Sequence, residues 1–332
     1  MINLHVVLVG AGLMGYWHGH AAQRVGAKIV AIVDSDLSKA QALATHYPQA
    51  QLFSSLKIAL ATCSINVVHV CTPLNSHVEL IEMALEAQCH VLAEKPLAFS
   101  LQETESLIAL ANKQGLKLNP VHQFPFQSGF LKMSEQRHQL GDIVCFTYTT
   151  CTAGGMNKSA ELRRSTLLEI LPHPIALLHH FFEGDFESSF DPNSLHLLRF
   201  TDEDLELTGE WNNTRIAIAL SLRGRPTCNE LRVIGTNGSA YIDLFHGYRL
   251  LEIGLVSRQA KITKPFNLGT QILVNAGSNL IRRALRNESA YPGLRELIKR
   301  FYHAITTDTP APISDTEMLA AARFFDLCQK NI

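Results

Sequence analysis

Lys95 stands in the tripeptide Glu94-Lys95-Pro96, directly after the apolar run His90-Val-Leu-Ala93. A lysine ordinarily titrates near ~10.4, so base chemistry near neutrality requires burial or neighbouring positive charge; otherwise the ammonium acts as a hydrogen-bond donor. Taken alone, a solvated surface lysine beside Glu94 is an equally good reading. His173, in Glu169-Ile-Leu-Pro-His173-Pro174, is the second candidate. An imidazole with an ordinary pKa of ~6.5 suits acceptance of an alcohol proton during hydride removal, although core and capping histidines are commoner. Arg163 and Arg164, just upstream of Glu169, could clasp a substrate carboxylate or phosphate, because a guanidinium matches those anions in bidentate fashion. A solvated charge pair is the plainer account of them. No metal site is expected: His18 and His20 would lie on different faces of a helix, and adjacent His179 and His180 cannot converge.

The elements that must position these groups begin at the N-terminus. Residues 4–9 are apolar except for His5 and suit a strand covered on both faces. Gly10-Ala-Gly12-Leu13-Met14-Gly15 follows at once and opens a helix, so the backbone can turn tightly, approach a pyrophosphate and aim helix N–H groups at it. Asp34 ends the next strand, nineteen residues after Gly15, close to the ~20-residue offset of the acid that accepts hydrogen bonds from an adenosine ribose. Its charge would repel a 2′-phosphate, so NAD is favoured as cofactor, while Ser35 leaves NADP open. Cys71-Thr72-Pro73 ends another strand, at the sheet edge where such folds bind ligand; a strand simply stopped by proline reads equally well.

The same grammar repeats to residue 120. Lys28–Val33, Val67–Val70, His90–Ala93 and Leu116–Leu118 read as strands, separated by helical stretches such as Leu37–His46, Ser76–Ala87 and Leu101–Gln114. Alternation of this kind implies a parallel, doubly wound sheet. Ser76 with Glu79, and Ser100 with Glu103, have capping-box spacing. Beyond residue 120, segments rich in β-branched and aromatic residues follow one another: 143–152, 196–201, 215–222, 230–234 and 240–244. They imply an antiparallel or mixed sheet and an α+β second domain. Gly235-Thr-Asn-Gly238 reads as a turn between two of them, Asn-Gly accepting positive φ readily. Pro172 suits the first turn of a helix whose apolar stripe is Ile175, Leu178 and Phe182. The amphipathic stretch 268–286 reads as a packed or subunit-contact helix ahead of a membrane-surface one.

Composition sets the outer bounds. At 332 residues two domains are expected, divided as 1–120 and 121–332, with the C-terminal helices left open to pack back on the first. A 46% hydrophobic and 18% charged composition with net charge −1 argues against a nucleic-acid partner. The N-terminus enters the fold motif without a basic leader, and no apolar stretch would span a bilayer, so a cytoplasmic location without integral membrane contact is expected. Seven scattered cysteines with no Cys-x-x-Cys pair suggest incidental thiols.

These landmarks together resemble the glucose–fructose oxidoreductase / inositol dehydrogenase / MocA family: the glycine turn with His18 after it, Asp34, Thr72-Pro73 with His77, Glu94-Lys95-Pro96, His173, Gly235-Thr-Asn-Gly238, and Phe301-Tyr-His-Ala-Ile305 with Pro310 and Pro312. The resemblance implies a Rossmann domain followed by an α+β domain with a large, open, mostly antiparallel sheet that commonly forms subunit contacts, hence a homodimer or homotetramer. It implies NAD(P)-linked hydride transfer at a carbon of a sugar, cyclitol or nucleotide-sugar, Lys95 polarising the reacting hydroxyl and His173 taking its proton. The cofactor contacts it implies are Gly10, Gly12, Leu13, Met14, Gly15 and Asp34 in the first turn, then Thr72, Pro73, His77, Glu94 and Lys95. Where the family pattern is Asp-x-Gly-x-His, this chain has Glu169-Ile-Leu-Pro-His173, and Glu169 stands as the third catalytic candidate. Where many relatives carry Arg-Phe, it has His122-Gln123-Phe124, so Gln123 joins Arg163 and Arg164 as a substrate candidate. Two further readings remain open: a nicotinamide-binding regulator without turnover, and a reductase of a non-sugar carbonyl or imine.

Overall fold

The computed structural model describes residues 4–182, 194–254, 257–288 and 290–329. The chain divides into two compact units, Met1–His122 with Leu294–Leu327, and Gln123–Gly293 with Cys328–Ile332. The C-terminal helical segment thus groups with the N-terminal unit.

The first unit is a six-stranded sheet in the order β3-β2-β1-β4-β5-β6, every pairing parallel. Its strands are β1 His5–Val9, β2 Lys28–Val33, β3 Gln51–Phe53, β4 Val67–Val70, β5 His90–Ala93 and β6 Leu118–Pro120. The connecting helices are α1 Leu13–Val25, α2 Leu37–Ala44, α3 Leu56–Thr62, α4 His77–Glu86 and α5 Leu101–Gln114. Val6, Val7, Leu8, Val67, Val68 and Val70 are wholly buried, as strands covered on both faces must be. This strand order reverses direction between β1 and β4, placing a crevice outside their carboxyl ends.

The two capping-box patterns part ways here. Ser100 forms the complete box: its hydroxyl accepts from Glu103 N–H, and Glu103 accepts back from Ser100 N–H. Ser76 does not, because a 3₁₀ turn over Leu74–Ser76 precedes α4, and its hydroxyl donates instead to Thr72 Oγ1 and the Pro73 carbonyl. Ser100→Ala is accordingly expected to cost about 1 kcal/mol, and Ser76→Ala less, a ranking that urea titrations of the two variants would check.

The second unit is built on a seven-stranded sheet in the order β13-β12-β11-β7-β10-β9-β8. The strands are β7 Ile143–Cys151, β8 Leu195–Phe200, β9 Asp204–Trp211, β10 Thr214–Ser221, β11 Cys228–Gly235, β12 Gly238–Asp243 and β13 Tyr248–Ile253. Only β7 with β10 is a parallel pair. Strands β3, β9 and β13 are not among the segments expected from the sequence: β3 has only three residues, β13 sets Leu250 beside Leu251, and in β9 the inward alternation of Leu205, Leu207 and Trp211 is broken by Gly209. One face of the sheet is apolar: Phe146, Ile216, Ile218, Leu231 and Val233 are at most 1% exposed. Helix α8, Pro172–Phe182, belongs to this core, with the Phe146 and Phe181 rings 5.8 Å apart and Phe182 edge-on to Trp211 at 4.8 Å. Pro172 occupies its first turn, where a missing N–H has no consequence.

The turn at Gly235–Gly238 joins β11 to β12 as expected, but without positive φ. It is held by Thr236 N–H to the Asp142 carbonyl and Asn237 N–H to the Leu140 carbonyl. Edge strand β13 is covered by α9, Arg258–Leu285, whose Gln271 bonds both the N–H and the C=O of Leu251 and whose Asn275 donates to the Arg249 carbonyl. Those side chains satisfy an edge that would otherwise template another strand. The unit also contains α6, Ser128–Glu135, and α7, Ala160–Ile170; helices α10, Leu294–Thr307, and α11, Asp315–Gln329, follow α9. Among the described residues no helix is long and apolar enough to cross a membrane.

Candidate active site

In the first unit the glycine turn leaves β1 and enters α1. Gly10 has φ of +97°, and a Cβ there would lie 2.7 Å from the Cys71 carbonyl oxygen, so β1 and β4 can run this close only with glycine. A Cβ on Gly15 would collide with the carbonyl of Gly10, whereas one on Gly12 would meet nothing within 4 Å. Position 12 therefore faces open space at the start of α1, where no side chain caps the helix. Asp34 faces the same turn, its Oδ2 accepting Ala11 N–H at 2.8 Å and its Oδ1 accepting Asp36 N–H at 2.9 Å. Open backbone, an uncapped helix start and a carboxylate at the next strand end fit a dinucleotide.

The loops after β4 and β5 carry the remaining first-unit candidates. Thr72 and Pro73 lie in the loop after β4, and Lys95 follows β5, with a cis bond to Pro96. His77, expected at the cofactor, is buried and staples the two loops together: its Nδ1 lies 2.9 Å from the Pro96 carbonyl and its Nε2 2.9 Å from that of Thr72. Glu94 is drawn inward. Its Oε2 accepts Lys95 N–H at 3.3 Å, and its Oε1 lies 3.1 Å from His18 Nε2. Burial would raise the Glu94 carboxyl, but the hydrogen bond from His18, helped by Lys95, holds it below the ordinary value.

Behind His18 runs a buried chain that no spacing in the sequence announces. His18 Nδ1 is 3.2 Å from His69 Nδ1, and His69 Nε2 is 2.9 Å from the Tyr302 hydroxyl. All three residues are 0% exposed. Burial, with His18 adding to it, pushes His69 well below the ordinary imidazole value, and burial raises the Tyr302 phenol well above its own. His122, at the end of the same unit, is likewise paired in the interior, its Nδ1 2.7 Å from Glu317 Oε1.

The second unit holds the other candidates. His173 sits at the start of α8, 9% exposed, with its ring 4.3 Å from that of Phe124. Glu169, on α7, is exposed and accepts from Ser165 Oγ at 3.3 Å. Arg163 is committed within its own unit: Nε donates to Asp202 Oδ2 at 2.9 Å, a second nitrogen pairs with the same oxygen, and Nη1 donates to the Lys158 carbonyl. That engagement speaks against a substrate role for Arg163, while Arg164 is exposed. Gln123 is 7% exposed, and its Oε1 is buried without a hydrogen-bond partner. No cluster of three or more metal-ligating side chains occurs among the described residues.

A parallel sheet in this order, with a glycine turn and an acid at consecutive strand ends, defines a dinucleotide-binding α/β protein. Residues 4–122 match the GFO_IDH_MocA family, described as "Oxidoreductase family, NAD-binding Rossmann fold". D-glucoside 3-dehydrogenase of Escherichia coli (strain K12) is 34% identical over 148 residues, 43% of this chain and 42% of the relative. Inositol 2-dehydrogenase of Arthrobacter sp. (strain FB24) is 29% identical over 147 residues, 43% of this chain and 44% of the relative. The chain thus spans under half the length of either relative. The solved structure of UDP-N-acetylglucosamine 3-dehydrogenase GnnA from Acidithiobacillus ferrooxidans superimposes with a TM-score of 0.75 at 16% identity, over 100% of this chain and 98% of that one, a likeness of fold.

Proposed function

We propose that the protein is an NAD-dependent dehydrogenase acting on a CH–OH carbon of a sugar, cyclitol or nucleotide-sugar. The observation that carries this reading is the position of Lys95: it follows β5 at the same sheet edge that carries the Gly10–Gly15 turn and Asp34. The named activities of the relatives, on a glucoside, inositol and a nucleotide-sugar, support the substrate class. Bound NAD supplies the hydride acceptor. Gly12 and the start of α1 receive its pyrophosphate, and Asp34 accepts the adenosine ribose hydroxyls. Lys95 donates to the reacting hydroxyl, and His173 accepts its proton as hydride leaves. Gln123, whose Oε1 is buried without a hydrogen-bond partner, is the favoured substrate contact, and Glu169, exposed and bonded to Ser165, is the weakest of the three catalytic candidates.

NADH formation across myo-inositol, methyl glucosides and UDP-N-acetylglucosamine, with NADP controls, tests the reading; saturable turnover of one compound is expected, and none across the panel would overturn it. Asp34→Ala should weaken NAD binding by about tenfold or more, the loss of one or two charge-assisted hydrogen bonds, while NADP is affected less because the repelling carboxylate is gone. Calorimetric titration of both nucleotides checks this.

The reading extends to assembly and place. Phe266, Leu273, Leu280 and Leu285 on α9 are between 69% and 82% exposed, which supports a homodimer or homotetramer, tested by light scattering on the eluting protein. All seven cysteines are free thiols, including Cys151 and Cys228, register partners on neighbouring strands, which supports a reducing cytoplasmic location.

A further inference from the structure

We propose that His18, backed by His69 and Tyr302, is a positioning residue that sets the aim of the Glu94 carboxylate and, through it, of Lys95. The inference rests on the catalytic reading of Lys95 given above.

The contacts admit a single arrangement in which every hydrogen is used. An ionised Glu94 carboxylate only accepts, so His18 Nε2 carries the hydrogen shared across 3.1 Å. His69 is buried and neutral, with one N–H. If His18 Nδ1 accepts, His69 Nδ1 donates across 3.2 Å, and His69 Nε2 accepts the Tyr302 hydroxyl hydrogen across 2.9 Å. The chain then runs one way, from Tyr302 through His69 and His18 to Glu94. A second proton on His18 would bring two N–H groups face to face unless His69 changed tautomer, leaving the Tyr302 hydroxyl hydrogen without its acceptor. Such tautomers follow from the bonding pattern. Because Tyr302 is fully buried, the chain ends inside the core and has no outlet for a proton. Its use is orientation: Glu94 is 12% exposed on its side chain, and one of its oxygens holds the backbone N–H of Lys95.

The titratable groups facing this chain come from several elements. They are His69 from β4, Cys71 just after it, Glu94 and Lys95 after β5, and Tyr302 from α10. Cys71 keeps its proton, raised by burial and by Glu94. Loss of the His18 donor removes the main influence that lowers Glu94, so its carboxyl titrates higher. The charge that faces Lys95 is then lost at a higher pH as pH falls, and the acid limb of activity moves up.

The test measures Glu94 directly. Its carboxylate band is followed by infrared spectroscopy against pH, with Glu94→Gln marking the band, and needs no substrate. Turnover is followed with the panel compound that yields NADH. His18→Leu is expected to raise the Glu94 midpoint by about half a unit or more and lower kcat about tenfold or more, with the NAD Kd held within about threefold. His18→Gln, which restores one donor near the Nε2 position, should recover most of both changes. A midpoint and kcat in His18→Leu indistinguishable from wild type would overturn the inference. Tyr302→Phe removes one oxygen from the far end and serves if His18→Leu does not fold: a partial shift in the same direction is expected, and none in either readout overturns the inference. Should Lys95→Ala turn over normally, the catalytic reading fails, while the Glu94 midpoint still decides the role of His18.

Discussion

Lys95→Ala is expected to lower kcat by about a thousandfold, the middle of the range over which a positioned proton donor or acceptor contributes, with the NAD Kd within about threefold. The expectation follows from position. Lys95 follows β5 at the sheet edge that carries the glycine turn and Asp34, and its backbone N–H is fixed by Glu94, itself held by His18. A flexible surface lysine would have no such fixture. Truncation removes the ammonium and leaves the turn, the helix start and Asp34 untouched, so the loss falls on turnover and spares cofactor binding. Lys95→Arg should recover little, because a planar guanidinium cannot place a single point donor where an ammonium stood. Steady-state kinetics beside calorimetric NAD titration separates the two quantities, and a kcat within a few-fold of wild type would end the catalytic assignment.

Gly15→Ala is expected to destabilise the first unit by about 2 to 3 kcal/mol, the upper end for an inserted methyl group, and to weaken NAD binding by more than tenfold. Its new Cβ would collide with the Gly10 carbonyl. That obstacle is backbone, so no side-chain rotation relieves it, and the turn must open. Gly12→Ala is the informative partner. Its Cβ meets nothing within 4 Å, so thermal unfolding should be unchanged while a methyl group enters the space where ligand would approach. Loss of NAD affinity in both variants, with loss of stability confined to Gly15→Ala, is the expected pattern. Equal thermal shifts in the two would show that the turn serves packing alone.

Much of the first unit was legible in the sequence because its signals are local. Continuous apolar runs mark doubly covered strands, three glycines and an acid mark a turn, and Ser100 with Glu103 marks a helix start, each within a few residues. The second sheet was legible in class but not in count. In β9 the alternation is interrupted by Gly209, and β13 sets two leucines side by side and has its outer edge bonded by Gln271 and Asn275. Ser76 shows the limit of a local pattern: the spacing matched, but a preceding 3₁₀ turn directed its hydroxyl to Thr72.

Among the site candidates, residue type and context single out the glycine turn, Asp34, Lys95 and His173. What the sequence left undecided was their company. His18 looked like half of a failed metal pair, His69 like one more strand residue, and Tyr302 like a family landmark, yet they form one buried chain ending on Glu94. His69 and Tyr302 are 233 positions apart. Arg163, expected as a solvated charge with anion binding as the alternative, pairs with Asp202, and His122 pairs with Glu317. Periodicity, turn chemistry and capping are decided by neighbours along the chain, so the sequence determined the elements and gathered its candidate residues at one edge of the first sheet. Which polar groups meet in the interior depends on which faces are packed together, and a buried donor must then take whatever acceptor packing presents. That choice belonged to the tertiary structure alone.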